Sequence, residues 1–425
     1  MNRKNRDNNI VISSHDNIKH TGKEAANLLN NYFTNYTRDL VSGFPSNIDY
    51  EYFSFIPQSL ESCFLIPTNE IEVDKVLKDL PNKGNVIYDI RPNLLKRVSS
   101  YILPIIVFIF NMCLDLGEYP NKLKLARVVP VYKGDSKNDA KNYRPISNLS
   151  VFNKIFEILI YNRFLCFVEN KNILSNLQYG FRKSSNTTLA IFDFVSDVLT
   201  TFNKKSYTIA LYLDLKHAFD TIDKDILLFK LDRYGLRGRA NNLISSYLTN
   251  RTQYVDISNK HSELNSISLG VPQGSVLGPL LFNLFINDVT IAIPYNKILY
   301  ADDGVFYVND LTLEGCLKKL RNLIELLSEW LSFNKLIPNT NKTKLMLFTS
   351  HFLNLRLPDV YFNGRILEWV NSMRYLGIII DNRLNFSLQA DMVLGKLSRL
   401  HGIFYAISNI LPQATLFNLY NSLVY

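Results

Sequence analysis

The stretch Leu211-Tyr212-Leu213-Asp214-Leu215-Lys216-His217-Ala218-Phe219-Asp220 decides the fold. It closes a nearly unbroken apolar run that starts at Tyr207 and carries Tyr, Thr and Ile, the composition of a buried strand. Asp214 stands where the run ends, so its carboxylate emerges at a strand terminus. A second stretch, Tyr300-Ala301-Asp302-Asp303-Gly304, has an apolar arm on each side, residues 298–300 and 305–308. That pattern predicts a hairpin with two carboxylates at or near its tip. Between the two lies Gly270-Val271-Pro272-Gln273-Gly274-Ser275, a loop punctuated by Pro and Gly.

Carboxylates brought together repel one another and are costly to desolvate, so a compensating charge is required. Mg²⁺ supplies it, taking hard oxygen ligands from one or two carboxylates, substrate phosphates and water. Two such ions roughly 3.5–4 Å apart clamp the attacking and leaving oxygens of an in-line phosphoryl displacement. Each piece alone has a plainer reading. Asp-Gly is a hairpin-turn signal by itself, an aspartate that ends a strand is usually solvated, and Gly270–Ser275 is by itself a loop-to-helix junction. The combination and order of the pieces carry the catalytic reading.

Eight stretches in one order resemble the reverse transcriptase of non-LTR (LINE-type) retrotransposons, from about residue 65 to the C-terminus. They are ARVVPVYKGD (126–135), NYRPISNLSVFNKIFEILIYNRF (142–164), QYGFRKSSNT (178–187), LDLKHAFDTID (213–223), GVPQGSVLGPLLFNLFINDV (270–289), YADD (300–303), KTKLMLF (342–348) and YLGIIID (375–381). The resemblance implies an α/β (α+β) right-hand polymerase fold of fingers, palm and thumb, with an antiparallel palm sheet and a truncated thumb. It implies RNA-directed DNA synthesis with an RNA template, a DNA primer and dNTPs as partners, and two Mg²⁺ ions, replaceable by Mn²⁺. Asp214, Asp302 and Asp303 are then the catalytic metal ligands, Asp214 and Asp303 first by position and Asp302 adjoining. Lys133 and Arg144, on an expected fingers hairpin, are candidates for the nucleotide phosphates, to which Arg offers a bidentate fork and Lys a point charge. Gln273 and Gly274 lie against the template base and incoming nucleotide, and Lys342 lies beside its phosphates. Phe219 sits under the incoming sugar, where a bulky ring excludes a 2′-hydroxyl. Arg182 lines the template path, and Tyr375, Leu376 and Gly377 grip the primer end.

The same pieces leave other readings open. One is an RNA-templated RNA polymerase or a group II intron-type maturase, against which Phe219 and the NYRPISNLS wording speak. Another is a catalytically inactive, RNA-binding relic.

The expected organisation is an N-terminal extension or connector at 1–60, partly disordered, fingers and palm at 61–382, and a partial thumb at 383–425. With 425 residues the chain exceeds one compact core of ordinary size. A hydrophobic share of 47% beside 20% charged residues excludes a disordered chain. The net charge of +9 favours a polyanionic partner. The four cysteines have no zinc-ligand spacing and no signal peptide precedes them, which points to a reducing, intracellular setting in nucleus or cytoplasm. His217, the one histidine near the site, is read as incidental. Residues 1–20 read as disordered. Residues 101–116 read as a buried helix rather than a membrane span, being shorter than about 20 apolar residues and interrupted by Pro104, Asn111 and Asp115. No endonuclease domain and no Cys/His zinc knuckle are recognisable, and the family's Gly/Asp pattern near residue 83 is loose. The end at Tyr425 suggests a truncated frame.

Helical periods are expected at 24–40, 71–80, 151–168, 224–234, 275–288, 313–331 and 388–410, and strands at 127–132 and 342–348.

Overall fold

The computed structural model describes residues 10–14, 16–82, 90–351 and 356–423. The loose Gly/Asp pattern at 83–89 lies outside the described residues. The chain packs as two compact units. The first comprises 1–186, 214–304 and 323–339, and the second 187–213, 305–322 and 340–425.

The first unit holds a mixed sheet in the order Tyr143–Asn148, Leu125–Tyr132, Arg251–Ile257, Lys260–His261, with Asn265–Ile267 also paired to Arg251–Ile257. Leu125–Tyr132 alternates in burial, with Ala126 and Val128 inward, as a strand with one covered face must. It pairs antiparallel with Tyr143–Asn148, placing Val131 opposite Arg144, and parallel with Arg251–Ile257. The expected fingers hairpin is therefore present, and residues between Asp214 and Gly270 extend its sheet. The helix Gly22–Val41 covers that sheet: Ala25, Ala26, Leu29 and Phe33 join Val128, Tyr143, Val255 and Ile257 in one core. Ile12 joins it too. It belongs to a small hairpin of Ile12–Ser13 and Lys19–His20, tied down by the Ser13 N–H donating to the Asn138 carbonyl at 2.8 Å. Disorder over residues 1–20 is thus corrected for this hairpin, because one buried isoleucine and one backbone tie suffice to seat it.

Helices complete the unit. Val151–Asn170 starts at Ser150, whose hydroxyl accepts from the Asn153 N–H at 3.1 Å. It buries Ile155, Phe156, Leu159, Ile160 and Phe164. Leu277–Ile286 is buried on all sides, so it is a core helix, and the Ser275 hydroxyl accepts from Gly278 N–H at 3.0 Å, the cap its position suggests. Lys224–Arg233 begins at Asp223, which accepts from Asp225 and Ile226. It is followed by Gly235 at φ +96°, where a Cβ would lie 2.4 Å from the Glu61 carbonyl. Lys230 on this helix is fully buried, donating to Asp288 and to the Phe285 carbonyl, each at 2.7 Å.

The helix Ser99–Leu116 is buried along one face only, through Leu103, Ile106, Phe110, Cys113 and Leu114. Tyr101, Ile105, Phe108, Met112 and Leu116 are exposed. The expectation of a buried helix is corrected to that extent: the apolar composition runs all round, while neighbouring chain covers one side. By length and composition it is long and apolar enough to cross a membrane, the one such helix among the described residues.

The second unit holds strands in the order Glu368–Trp369, Lys344–Thr349, Tyr207–Leu213, Asp303–Asp310. The central pair is antiparallel, from Lys344 opposite Tyr212 to Thr349 opposite Tyr207. The helix Thr187–Asn203 places Phe194 against the rings of Tyr212, Tyr307, Phe348 and Tyr375. Ser372–Tyr375 and Ile378–Asp381 form an antiparallel hairpin closed by Leu376 at φ +46° and Gly377 at φ +92°, two positive φ values as a tight hairpin turn needs. The helices Ser387–Ile407 and Gln413–Leu423 bury no residue.

Candidate active site

Asp214 follows directly on the buried strand Tyr207–Leu213, as the apolar run requires. The chain beyond it is fastened to residues 337–339: Lys216 N–H donates to the Ile337 carbonyl at 2.9 Å, and Asn339 N–H to the Asp214 carbonyl at 2.8 Å. The Asn339 side-chain amide donates to the Asp214 carboxylate at 2.7 Å. One residue thus holds Asp214 by both its backbone and its side chain.

Asn296–Tyr300 runs into Asp303–Asp310 through a two-residue turn, Ala301-Asp302. Asp302 is at the tip, as expected, and Asp303 is the first residue of the outgoing strand and exposed. Ala301 has φ +54°, a left-handed conformation that costs an L-residue with a Cβ roughly 1–2 kcal/mol. Its N–H is taken by the side-chain oxygen of Gln178 at 3.0 Å.

Asp302 is held above the ordinary carboxylate range, first by burial and then by the negative charge of Asp214; Arg144 pulls in the opposite direction. The two aspartates therefore lie within electrostatic reach of each other, with the exposed Arg144 of the strand Tyr143–Asn148 also in range. Among the described residues no three His, Cys, Asp or Glu side chains are grouped so as to hold a metal ion by themselves. A carboxylate pair with one member destabilised by its neighbour still suits Mg²⁺, which takes one or two protein carboxylates and completes its octahedron with phosphate and water.

The Gly270–Ser275 loop lies along the chain after Asp214. Gly270 N–H donates to the Ile222 carbonyl and Val271 N–H to the Phe219 carbonyl, each at 2.9 Å. A Cβ on Gly270 would lie 2.6 Å from the Asp220 backbone. The far end of the loop meets the fingers strand: Ser147 N–H donates to the Gln273 carbonyl at 2.8 Å, and a Cβ on Gly274 would lie 2.9 Å from the Ser147 carbonyl. The loop thus joins the Asp214 segment to the strand that carries Arg144. The Gln273 side-chain amide donates to both Asp220 oxygens at 2.7 and 2.6 Å, and His217 contacts the same carboxylate at 3.2 Å. His217, read from sequence as incidental, belongs to this cluster. Phe219 stacks on Phe282 with centroids 4.3 Å apart and meets Phe181 edge-on.

The family description "Reverse transcriptase (RNA-dependent DNA polymerase)" matches residues 134–380. That interval is more than half of the chain and contains Arg144, Asp214, the Gly270–Ser275 loop and the Ala301-Asp302 turn.

The chain belongs to the reverse transcriptase family.

Curated relatives agree. A probable RNA-directed DNA polymerase from transposon BS of Drosophila melanogaster is 30% identical over 76% of this chain and 37% of its own length. The RNA-directed DNA polymerase from mobile element jockey of the same species is 28% identical over 78% of this chain and 38% of its own length. A probable RNA-directed DNA polymerase from its transposon X-element is 29% identical over 76% and 36%. The chain spans less than two fifths of the length of each. The fold and the non-LTR retrotransposon relationship implied by the sequence motifs both hold.

In this reverse transcriptase the remaining candidates fall as follows. Lys133 is exposed, just after the fingers strand Leu125–Tyr132. Arg182 donates to the Ser175 carbonyl at 2.7 Å, a contact that folds its own segment. In the second unit Lys342 is exposed. Tyr375 is buried, its ring against Tyr212 and Phe194, so that within YLG the turn residues Leu376 and Gly377 are the more accessible. Sequence reading did not find Asn339, Asp220 or Gln178, because each acts through a partner distant in the chain. The buried Glu157 was also missed. It accepts from Val276 N–H at 2.6 Å, Asn153 at 2.8 Å and Tyr247 at 2.9 Å, fixing the start of the helix that follows the loop.

Proposed function

We propose that this chain is the polymerase domain of a retroelement: on an RNA template it adds deoxynucleotides to a DNA primer. The observation that carries the reading is the pair Asp214 and Asp302, drawn from a strand end and a hairpin turn, with Asp214 raising the proton affinity of Asp302. A nucleotidyl-transfer site needs such a focus of negative charge at the reacting phosphate, provided divalent ions neutralise it.

Asp214 and Asp302, with Asp303 adjoining, would hold Mg²⁺, with Mn²⁺ as a substitute. Bound there, such ions would lower the charge on the triphosphate and favour ionisation of the primer hydroxyl. The primer 3′-oxygen attacks the α-phosphorus, a new phosphodiester bond forms, and the bond to the leaving pyrophosphate breaks. The protein's own part is orientation. Arg144, whose charge acts on Asp302, and Lys133 would bind the triphosphate. Gln273 and Gly274 support the nucleotide, and Phe219 limits the sugar to one without a 2′-hydroxyl. Lys342 meets the leaving pyrophosphate, while Arg182 and the Tyr375–Gly377 turn bear on template and primer.

Extension of oligo(dT) on poly(rA) with Mg²⁺ tests the reading, beside an Asp302→Asn control. Extension by the wild type and none by the control is expected. Duplex binding without extension by the wild type would instead identify an inactive RNA-binding relic.

A further inference from the structure

The turn that carries Asp302 does not stand by itself. Its first residue, Ala301, is left-handed without being glycine, a conformation that persists only where the surroundings impose it. The imposing segment is Leu177–Gly180. Leu299 N–H donates to the Leu177 carbonyl at 2.9 Å and Tyr179 N–H to the Leu299 carbonyl at 2.8 Å, so Gln178 and Leu299 form a single parallel bridge. The arrangement brings the buried side chain of Gln178 under the turn. Its oxygen accepts from two backbone N–H groups at once, Ala301 at 3.0 Å and Gly180 at 2.8 Å. Gly180 completes the contact. A Cβ there would lie 2.3 Å from the Ala301 nitrogen and 3.0 Å from the Tyr300 carbonyl carbon, so only glycine lets the two backbones meet. The Gly180 carbonyl in turn accepts from Asn283 at 2.9 Å, on the buried helix Leu277–Ile286.

We infer that Gln178 is a positioning residue for the catalytic turn: its side-chain oxygen holds Ala301 left-handed and so fixes where the Asp302 carboxylate points. The working group is the acceptor oxygen alone. The Gln178 nitrogen is buried and has no hydrogen-bond partner among the described residues, so the grip is assigned to the oxygen. The QYGFR motif therefore serves the turn through Gln178 and Gly180. This inference rests on the polymerase reading of Asp302.

The test is a double-mutant cycle in the full chain, Gln178→Met and Ala301→Gly, read by single-turnover extension of an RNA–DNA primer–template. A misplaced catalytic group costs on the order of 10²-fold in rate, and a fall of that size in the extension rate is expected for Gln178→Met. The dNTP concentration for half-maximal rate and the affinity for the duplex should change by less than about threefold, since neither depends on the turn. Ala301→Gly removes the conformational strain that the clamp opposes, so the double variant should recover at least about tenfold of the lost rate. Gln178→Glu, which keeps the oxygen, should extend faster than Gln178→Met. A readout free of activity is amide exchange at Ala301, protected in the wild type and fast in Gln178→Met.

Wild-type extension by Gln178→Met, loss of duplex binding together with rate, or no recovery in the double variant would each overturn the inference. Failure of the wild type itself to extend would be a failure of the polymerase reading instead. In that case amide exchange at Ala301 still decides whether the clamp exists.

Discussion

Asn339 holds Asp214 twice, its side-chain amide donating to the carboxylate at 2.7 Å and its backbone N–H to the carbonyl at 2.8 Å. The side-chain bond leaves the second Asp214 oxygen to other partners and restricts rotation of the carboxylate. Asn339→Ala keeps the backbone bond and frees the side chain. The expected stability loss is about 1 kcal/mol, the net value of one partly exposed hydrogen bond, while misorientation of the carboxylate lowers the extension rate by about tenfold or more. Thermal melting beside single-turnover extension checks the split. Equal and small effects on both would make Asn339 a purely structural residue.

Asp302 sets a pH dependence whose sign follows from its surroundings. Burial and Asp214 raise its proton affinity, and Arg144 opposes them. In the metal-free protein its carboxyl should therefore titrate above the ordinary aspartate value of about 3.9. Arg144→Ala removes an opposing charge, so this metal-free titration should move to higher pH, as followed by NMR of the side-chain carboxyl. Stability follows the same linkage. A carboxyl raised in the folded state favours folding below its unfolded pKa and loses that contribution as pH rises through the folded value. Asp302→Asn should therefore melt higher than wild type at neutral pH, with the gain shrinking on acidification. A metal-free titration of Asp302 unmoved in Arg144→Ala would contradict the coupling.

Glu157 tests how the helix after the Gly270–Ser275 loop is anchored. Burial raises its proton affinity even though three donors and the charge of Arg251 act to lower it. Gln is nearly isosteric but turns one acceptor into a donor, facing either Val276 N–H or the Asn153 and Tyr247 donors. Glu157→Gln should cost about 1–3 kcal/mol, the penalty of one buried group left without its partner. Chemical denaturation measures it. An unchanged midpoint would show that the site relaxes around the amide.

Phe219 is held by stacking on Phe282 and an edge contact with Phe181, so its ring has little freedom to move aside. Phe219→Ala should raise incorporation of ribonucleotides relative to deoxynucleotides by about tenfold or more, the scale on which a steric contact discriminates one group. Competition between rUTP and dTTP on poly(rA) measures the ratio. A ratio equal to wild type would show that the ring serves packing alone.

Much of this site was readable from the chain. The Tyr207–Leu213 strand and the aspartate after it follow from an apolar run ending in a charge, a local pattern. The hairpin around Ala301-Asp302 is equally local. What supports those residues was not readable, because it is contact at a distance. Asn339 lies 125 residues from Asp214, and Gln178 lies 123 from Ala301; neither has a periodicity that betrays it. The adjacent Asp302 and Asp303 differ in a way their shared residue type does not reveal, since the strand starts between them, one at the tip of the turn and the next exposed. The helix Ser99–Leu116 misled in another way, since composition records that residues are apolar and not which of them find a neighbour.

The central claim is that Asp214 and Asp302 share divalent cations during nucleotide addition. The most direct measurement is a Mn²⁺ titration followed by electron paramagnetic resonance, on the wild-type chain bound to a dideoxy-terminated primer on RNA and the matching dNTP. The account predicts bound Mn²⁺ in the wild type and a marked loss of it in both Asp214→Asn and Asp302→Asn, with duplex affinity retained. Equal Mn²⁺ occupancy in the wild type and both variants would contradict it.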